Sequence, residues 1–363
     1  MNGQDSGGPW GLALVSLAIA WCSVPAGAAA PPASRAPAEA APSKAPAAVG
    51  AESAEHARLR AELKKLPHRI VFETYRGGNW ELFAMNADGT HPVNLTRTPK
   101  AHDLYPHASP DGREICFVVD EGAGKSKVRS VYCMNADGSG RTLVAANARQ
   151  PCWSPDGRCI AYLKGEYERF TTKDFASKGV FFYDLKTGRH REHVNTKLHH
   201  LYNPCWSPDG NWLLATVHGG MGYRHANLAI DAAGTGVFPL GAVKGCRPDV
   251  SPDGKKLAWN RSDQLISVAD LDLTSRPPRV TDVRQAVLCD KQHEVYHADW
   301  SPDGRYLCFS YGPKAGEQVG LMAKDWQICV TDAAHRNVWI VLRTEGLSNK
   351  EPDWLPAPRA ERK

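Results

Sequence analysis

The sequence predicts an all-β protein, a six-bladed β-propeller, from three observations. The tetrapeptide Ser-Pro-Asp-Gly occurs five times at intervals of 44 to 53 residues, and its copies begin at Ser109, Ser154, Ser207, Ser251 and Ser301. Repeats of this length made of short β-type segments are typical of propeller blades with about four strands each. Glycine and proline account for 32 and 26 of the 363 residues, which fits a turn-rich protein. The two ends of the chain also supply complementary parts of one more blade.

The overall composition is that of a globular protein. Hydrophobic residues make up 42% and charged residues 23%, which excludes disorder of the whole chain. The mean hydropathy of −0.42 excludes a protein with many membrane spans. The formal net charge of +5 is small and scattered, whereas a nucleic-acid-binding surface would show clustered lysine and arginine. We therefore expect no nucleic-acid partner.

Residues 1–28 are predicted to be a secretory signal peptide. An uncharged, mostly apolar run of 13 residues ends at Cys22, and the small-residue cleavage pattern Ala26-Gly27-Ala28 follows it. The run is shorter than the roughly 20 residues that a membrane-spanning helix needs. Because no lysine or arginine precedes the run, an uncleaved anchor is an alternative. Lipoprotein anchoring through Cys22 is not expected, since the bulky Trp21 precedes it. The predicted location is periplasmic or secreted.

The next two segments lead into the propeller. Residues 29–50 are rich in alanine and proline, and they are predicted to be a disordered linker because they lack large apolar residues. Residues 51–67 contain strong helix formers with leucines at helical spacing, and Pro67 ends this predicted helix. The predicted propeller then spans residues 68–357, and residues 358–363 form a tail.

Each repeat predicts the same four strands. The innermost strand ends in an apolar residue before the serine, as at Trp153 and Trp206, and Pro-Asp-Gly then makes a tight turn. In the first complete repeat, the second, third and fourth strands are predicted over residues 114–117, 131–134 and 141–144.

The chain begins and ends within one blade. Residues 69–72, 81–85 and 92–95 are predicted to be second, third and fourth strands, and no innermost strand precedes them. An innermost strand without partners occurs at the other end, where residues 351–356 align with residues 247–252 of a complete repeat. Pairing of the two ends closes a ring of six blades and leaves no free sheet edge around it.

The repeat resembles that of TolB-type propellers. Trp-Ser-Pro-Asp-Gly occurs at residues 153–157, 206–210 and 300–304, and Met-Asn-Ala-Asp-Gly occurs at residues 85–89 and 134–138. The resemblance covers residues 69–356 and implies the fold, but it implies little about function. TolB has a separate α/β domain before its propeller, and the twenty or so residues before this propeller are too few for one.

Two enzyme families are similar in their propellers. Prolyl-oligopeptidase-like peptidases have a hydrolase domain after the propeller, whereas this chain ends with the propeller and has no Gly-x-Ser-x-Gly motif. Oligogalacturonate lyases resemble the repeat more weakly, and that resemblance implies histidine ligands for a metal inside the propeller.

The innermost strands carry polar residues at two positions that the repeat does not fix. Four residues before each serine, or its aligned position, lie the residues that we predict to form a ligand-binding rim at the channel mouth: Tyr105, Gln150, Asn203, Arg247, His297 and Glu351. Two residues before it lie His107, Cys152, Cys205, Asp249, Asp299 and Asp353. The period-2 alternation of a strand places both sets on one face. Arg247 suits an acidic ligand through its planar guanidinium.

Asp249, Asp299 and Asp353 fall on three consecutive blades, and His297 lies beside them. Carboxylates that are brought together repel unless a cation neutralises them. These four residues are therefore a candidate site for a divalent cation in the central channel. Alternatively, each aspartate caps a turn or accepts a hydrogen bond from the backbone of the next blade, or Arg247 neutralises the cluster.

Histidines and cysteines give two further hypotheses. His102, His199, His200 and His293 lie in loops that enter innermost strands, where imidazoles suit a transition metal or an acidic ligand; scattered surface histidines are the alternative. An oxidising compartment permits disulfides. Matching blade positions suggest the pairs Cys116–Cys133 and Cys308–Cys329, and small buried core residues are the alternative.

Three functional classes fit these observations. The first is a monomeric, exported, non-catalytic propeller that binds a protein or a cell-envelope ligand with one face, because no nucleophile–base motif is present. The second is a metal-dependent lyase or hydrolase of an anionic polysaccharide, like the oligogalacturonate lyase-type propellers, which rests on the histidines and Arg247. The third is a structural or sensory module of a larger envelope assembly. No catalytic residue is predicted.

Overall fold

The computed structural model describes residues 53–314, 324–334, 337–342 and 348–358. These residues form a six-bladed β-propeller in which every blade is a four-stranded antiparallel sheet, so the predicted fold class is confirmed. The predicted signal peptide with Cys22 and the predicted linker lie outside the described residues.

The strands follow the repeats along the chain. Blade 1 contains β1 (Arg69–Arg76), β2 (Asn79–Asn86) and β3 (Val93–Asn94). Blade 2 contains β4 (Ala101–Ala108), β5 (Glu114–Glu121), β6 (Val128–Asn135) and β7 (Thr142–Ala146). Blade 3 contains β8 (Ala148–Trp153), β9 (Cys159–Gly165), β10 (Ser177–Asp184) and β11 (His190–Glu192).

Blade 4 contains β12 (Leu201–Trp206), β13 (Trp212–Gly220), β14 (Tyr223–Asp231) and β15 (Val237–Pro239). Blade 5 contains β16 (Cys246–Val250), β17 (Lys256–Ser262), β18 (Leu265–Asp272) and β19 (Arg279–Leu288). Blade 6 contains β20 (His293–Trp300), β21 (Tyr306–Pro313), β22 (Gln327–Asp332) and β23 (Trp339–Leu342). The last strand, β24 (Ser348–Leu355), belongs to blade 1.

The two ends of the propeller close the ring by pairing. β24 lies antiparallel to β1, with Trp354 opposite Ile70 and Ser348 opposite Tyr75. All eight residues of β24 are buried, because the strand is the innermost one of blade 1 and packs against blade 6 as well. The predicted closure is therefore confirmed.

The repeated tetrapeptide is explained by the hydrogen bonds of its turn. In each copy the serine hydroxyl donates to the aspartate carboxylate two residues later, as from Ser154 Oγ to Asp156 Oδ1 at 2.6 Å. The same hydroxyl accepts the backbone N–H five residues later, which begins the next strand, as from Cys159 at 3.0 Å. The glycines have φ between 69° and 73°, a left-handed conformation that favours glycine. All these turns lie at the end of the innermost strand, and hence on one face of the disc, the Ser-Pro-Asp-Gly face.

The core consists of apolar layers between adjacent blades. The residue before each serine inserts into such a layer, as Trp300 of blade 6 does beside Ala258 and Ile266 of blade 5. Trp153 of blade 3 likewise packs on Val131 of blade 2. The tryptophans therefore join neighbouring blades, which leaves the other side of each innermost strand to face the channel.

A single described α-helix, α1 (Ala54–Leu63), covers the closure, and a short 3-10 helix spans Gly124–Ser126. Ser53 caps α1, because its hydroxyl accepts the backbone N–H of His56 at 3.2 Å. Leu59 and Leu63 are buried in the layer between blades 6 and 1. The helix is too short to span a membrane, and no other helix of the described ranges is long and apolar enough to do so.

The strand register does not favour one of the two predicted cysteine pairs. Cys308 lies opposite Val330 in the β21–β22 register and Cys329 lies opposite Phe309, so the two cysteines are one residue out of register. A shift of one residue puts them on opposite faces of the blade, and they belong to different core layers. Cys116 lies directly opposite Cys133, and both are free in the structure. A Cys116–Cys133 disulfide stays a prediction.

Candidate functional site

The six predicted rim residues surround the mouth of the central channel, one from each blade. Each has a left-handed backbone with φ between 46° and 59°, which is uncommon for residues other than glycine. At each of them, the register of pairing between the innermost and second strands shifts. In blade 2 the shift falls between Leu104 and His107, on either side of the rim residue Tyr105. This β-bulge, rather than the regular alternation that we predicted, turns the residues four, three and two before the serine toward the same cavity.

Side chains from the second strand of the preceding blade hold four of these bulges, and in a fifth the backbone N–H of Asn203 donates to Gln150 Oε1 at 2.9 Å. The backbone N–H of Tyr105 donates to Glu73 Oε2 at 3.0 Å, and that of Arg247 donates to Thr216 Oγ1 at 2.9 Å. His297 and Glu351 donate in the same way to Asn260 and Ser310. Sequence analysis missed the four second-strand acceptors. A signal for them exists, because each is a polar residue at the same place in an otherwise apolar second strand.

Three rim residues form a buried charged network. Glu351 Oε1 lies 3.2 Å from Arg247 Nη1 and 2.8 Å from His297 Nε2. His297 Nδ1 is 2.9 Å from Ser310 Oγ, so both imidazole nitrogens have partners. The side chains of Arg247, Glu351 and His297 are at most 8% exposed. The network links blades 5, 6 and 1, and its charges largely neutralise one another.

A loop of blade 3, residues 166–176 between β9 and β10, crosses the mouth; we call it the lid. Asp174 of the lid accepts a hydrogen bond from Tyr105 Oη at 2.7 Å and pairs with Arg247 Nη2 at 3.2 Å. Tyr105 and Arg247 belong to opposite blades, so this carboxylate bridges the channel. The Arg149 guanidinium donates to the backbone carbonyls of Thr171 and Lys173, which fixes the lid in place. The acidic group that Arg247 was predicted to bind is thus supplied by the chain itself.

The three aspartates below the rim bind the backbone of the next blade. Asp249 accepts the N–H of Trp300 at 2.9 Å, Asp299 accepts that of Trp354 at 3.2 Å, and Asp353 accepts that of Ala108 at 2.6 Å. These contacts match the backbone alternative of the sequence analysis.

Burial changes the ionisation of this layer. It raises the pKa of Asp353 to about 7, and together with the neighbouring carboxyls it raises the pKa values of Asp249 and Asp299 well above their usual range. Within the described parts of the chain, no group of three or more His, Cys, Asp or Glu side chains is placed to hold a metal ion. The arrangement of Asp249, Asp299, Asp353 and His297 thus lends no support to the predicted cation site.

We expect the free energy of unfolding to fall as the pH rises from about 6.5 to about 8.5. Asp353 and Glu73, whose pKa burial raises to about 7 and about 8, keep a proton in the folded protein where the unfolded chain has lost it. The folded state then binds more protons, so its stability decreases with pH until both groups ionise. His107, whose pKa burial lowers to about 4, acts in the opposite sense only at lower pH. Urea unfolding at three pH values measures the slope.

The matched control for this slope is a pair of aspartate variants. Asp353→Asn removes one of the titrating groups and should flatten the decrease. Asp253→Asn should not, because hydrogen bonds from Ser251 and the backbone lower the pKa of Asp253, which is already ionised throughout this interval. Stability that rises with pH over the interval would contradict the assignment.

The cavity inside the channel is small. It has a volume of about 100 Å³ and is lined by the rim, the three aspartates and the matching residues of blades 2 and 4, His107 and Cys205. Pockets for small organic ligands have volumes of about 300–1,000 Å³. With the lid in place, the cavity has room for a few water molecules but not for a sugar ring or a peptide.

The histidines predicted near the innermost strands bind neighbouring loops and strands. His102 Nδ1 accepts the N–H of Trp80 at 3.2 Å, and His293 Nδ1 lies 2.7 Å from Asp290 Oδ1. His199 Nδ1 lies 2.8 Å from the carbonyl of Lys197. His200 Nε2 lies 3.0 Å from Glu166 at the base of the lid. The structure does not bring these histidines together as one group.

Comparison with solved structures shows the same fold in several proteins. TolB from Acinetobacter baumannii matches with a TM-score of 0.57 and 17% identity, over 80% of this chain and 67% of that chain. A candidate TolB from Agrobacterium tumefaciens matches with a TM-score of 0.53 and 17% identity, over 78% and 91%. A chain of the nidogen/laminin complex matches with a TM-score of 0.56 and 10% identity, over 80% and 100%. Comparisons with protein-family models and with curated proteins gave no match. The likeness to TolB structures therefore concerns the propeller fold.

Proposed function

We propose that the protein is an exported, non-catalytic β-propeller that binds a protein or another cell-envelope ligand through the face that carries the lid. One observation carries this proposal: the channel mouth is filled by the chain's own Asp174, between Tyr105 and Arg247, above a cavity of about 100 Å³. A ligand that cannot enter the channel must be recognised on the surface around it. Export rests on the Ala26-Gly27-Ala28 pattern of the sequence.

The two faces of the disc differ in what they offer a partner. The Ser-Pro-Asp-Gly face repeats one turn five times, and the needs of that turn determine its residues. The loops of the opposite face differ from blade to blade in length and composition, and the lid is the longest of those described in full. Variable loops on a rigid scaffold are where binding specificity usually lies.

Site-specific photo-crosslinking in cell envelopes tests this proposal. A photoreactive amino acid replaces Tyr167 of the lid, whose side chain is exposed, and in a matched variant it replaces Lys186, exposed beside the third-to-fourth-strand turn on the other face. We expect a discrete crosslinked product from position 167 only. Products from position 186 alone would move the site to the other face, and the absence of products at both would contradict binding in the envelope.

A further inference from the structure

The lid creates a groove on its outer side. Two cavities of about 240 and 270 Å³ meet at Glu166, at the base of the lid. The first is lined by Arg169 and Lys173, and the second by Lys178 and Lys197. We call the two cavities together the basic groove. The four cationic residues are spread over 29 positions of the sequence, so their clustering is evident only from the folded structure.

The groove carries a net positive charge. None of its four cationic side chains forms an ion pair within the parts of the chain that the structure describes, and all four residues are exposed. Glu166 is the acidic residue that lines the groove, and its carboxylate lies 3.0 Å from His200 Nε2. Although partial burial opposes it, this hydrogen bond raises the pKa of His200, so Glu166 already has a partner in the protein. An anionic partner would thus meet four cations that lack counter-ions.

One face of each aromatic ring of the lid is already occupied. The Arg169 guanidinium lies 5.2 Å from the centroid of the Tyr167 ring, and the Lys127 amine lies 4.4 Å from that of Phe170. The Phe175 ring packs on the imidazole of His218 at 4.5 Å. Sugars and single-stranded nucleic acids bind on open aromatic faces. Here cations or an imidazole occupy one face of each ring, so charge rather than stacking is left as the means of recognition.

The other face of the disc carries charges of both signs. Each of its five Ser-Pro-Asp-Gly turns presents an aspartate, but in four of the turns a cationic residue directly follows the glycine: Arg113, Arg158, Lys255 and Arg305. Arg113 and Arg158 lie 3.9 and 3.8 Å from the aspartates of their own turns. The charges of that face are therefore largely paired, whereas the groove offers an acidic partner four cations without counter-ions.

We propose that the basic groove binds an acidic polypeptide segment of the partner protein. The proposal rests on the proposed function and gives the partner its chemistry: a stretch with several carboxylates that pair with Arg169, Lys173, Lys178 and Lys197. The contacts lie at the protein surface, so binding should be fast, strongly dependent on salt and lost when the partner's carboxylates are replaced by amides.

Fluorescence anisotropy with purified protein tests the proposal. The probe is a fluorescein-labelled peptide of twelve residues that alternates Glu with Gly, and the same peptide with Gln for Glu is the neutral control. Lys173→Glu with Lys197→Glu reverses two charges of the groove. Lys186→Glu with Lys255→Glu makes the same change in charge at exposed residues of the Ser-Pro-Asp-Gly face. Melting temperatures of both double variants verify folding, and Lys173→Gln with Lys197→Gln serves as a milder variant.

We expect the acidic peptide to bind the wild type. Its affinity should fall by about tenfold or more for the groove variant, and likewise for the wild type in 0.5 M salt. The Gln peptide should bind the wild type about tenfold or more weakly than the acidic peptide does. The control variant should bind like the wild type. Equal losses in both variants, or unchanged binding in the groove variant, would overturn the proposal. Tighter binding of oligogalacturonate or of anionic lipid vesicles at the groove would overturn the choice of a polypeptide. No peptide binding together with a crosslinked partner at position 167 would overturn this inference and leave the proposed function intact.

Discussion

Removal of residues 348–363 is expected to abolish cooperative unfolding and to cause aggregation. The deletion takes away β24, whose eight residues are all buried, and leaves β1 with an unpaired edge. It also removes Trp354 from the layer between blades 6 and 1 and Glu351 from the charged network at the mouth. Thermal unfolding followed by circular dichroism, with light scattering for aggregation, measures the effect.

Two controls separate the loss of the strand from the loss of chain length. Deletion of residues 359–363 alone, which lie outside the described residues, should leave the melting temperature unchanged. A circular permutant that places residues 348–355 ahead of Arg69 through a Ser-Pro-Asp-Gly turn should recover cooperative unfolding, because it gives blade 1 the connection that the other five blades have. A 348–363 deletion that melts like the wild type would show that the ring does not depend on this pairing.

The blade count and the closure could be predicted from the sequence because their causes are local. The serine, aspartate and glycine of each turn act within five residues of one another, so the same letters recur wherever the same turn is made. The C-terminal end supplies an innermost strand without partners, and the N-terminal end supplies the three other strands of a blade. Only their pairing into one blade leaves no innermost strand with an unpaired edge in the ring.

The occupant of the channel mouth could not be predicted, because it has no place in the repeat. Asp174 comes from a loop whose length is particular to blade 3, and nothing in the sequence around it indicates that it reaches Tyr105 and Arg247, which are 69 and 73 residues away. The register that separates Cys308 from Cys329 could not be predicted for a related reason. A register error of one residue is invisible in spacing, yet it reverses the face on which a side chain lies.

Arg247→Met is expected to lower the free energy of unfolding by about 3–5 kcal/mol, the usual cost of leaving a buried carboxylate without its cation. Arg247 pairs with both Glu351 and Asp174, and its side chain is 7% exposed. Methionine keeps much of the side-chain volume, so the loss reports charge rather than a cavity. Urea unfolding of Arg247→Met, Glu351→Gln and the double variant gives the coupling energy, and we expect the double variant to lose less than the sum of the single variants.

The matched control is Lys256→Met, which breaks a pair of similar length, 2.6 Å to Asp270, between side chains that are 39% and 46% exposed. An exposed pair contributes at most about 1 kcal/mol, so this variant should lose little stability. A loss at Arg247 no larger than the loss at Lys256 would mean that water reaches the network in solution. The rim would then be open to a ligand, and the closed mouth on which surface recognition rests would be wrong. A large loss with strong coupling would show instead that Arg247 and Glu351 hold blades 5 and 1 together across the channel.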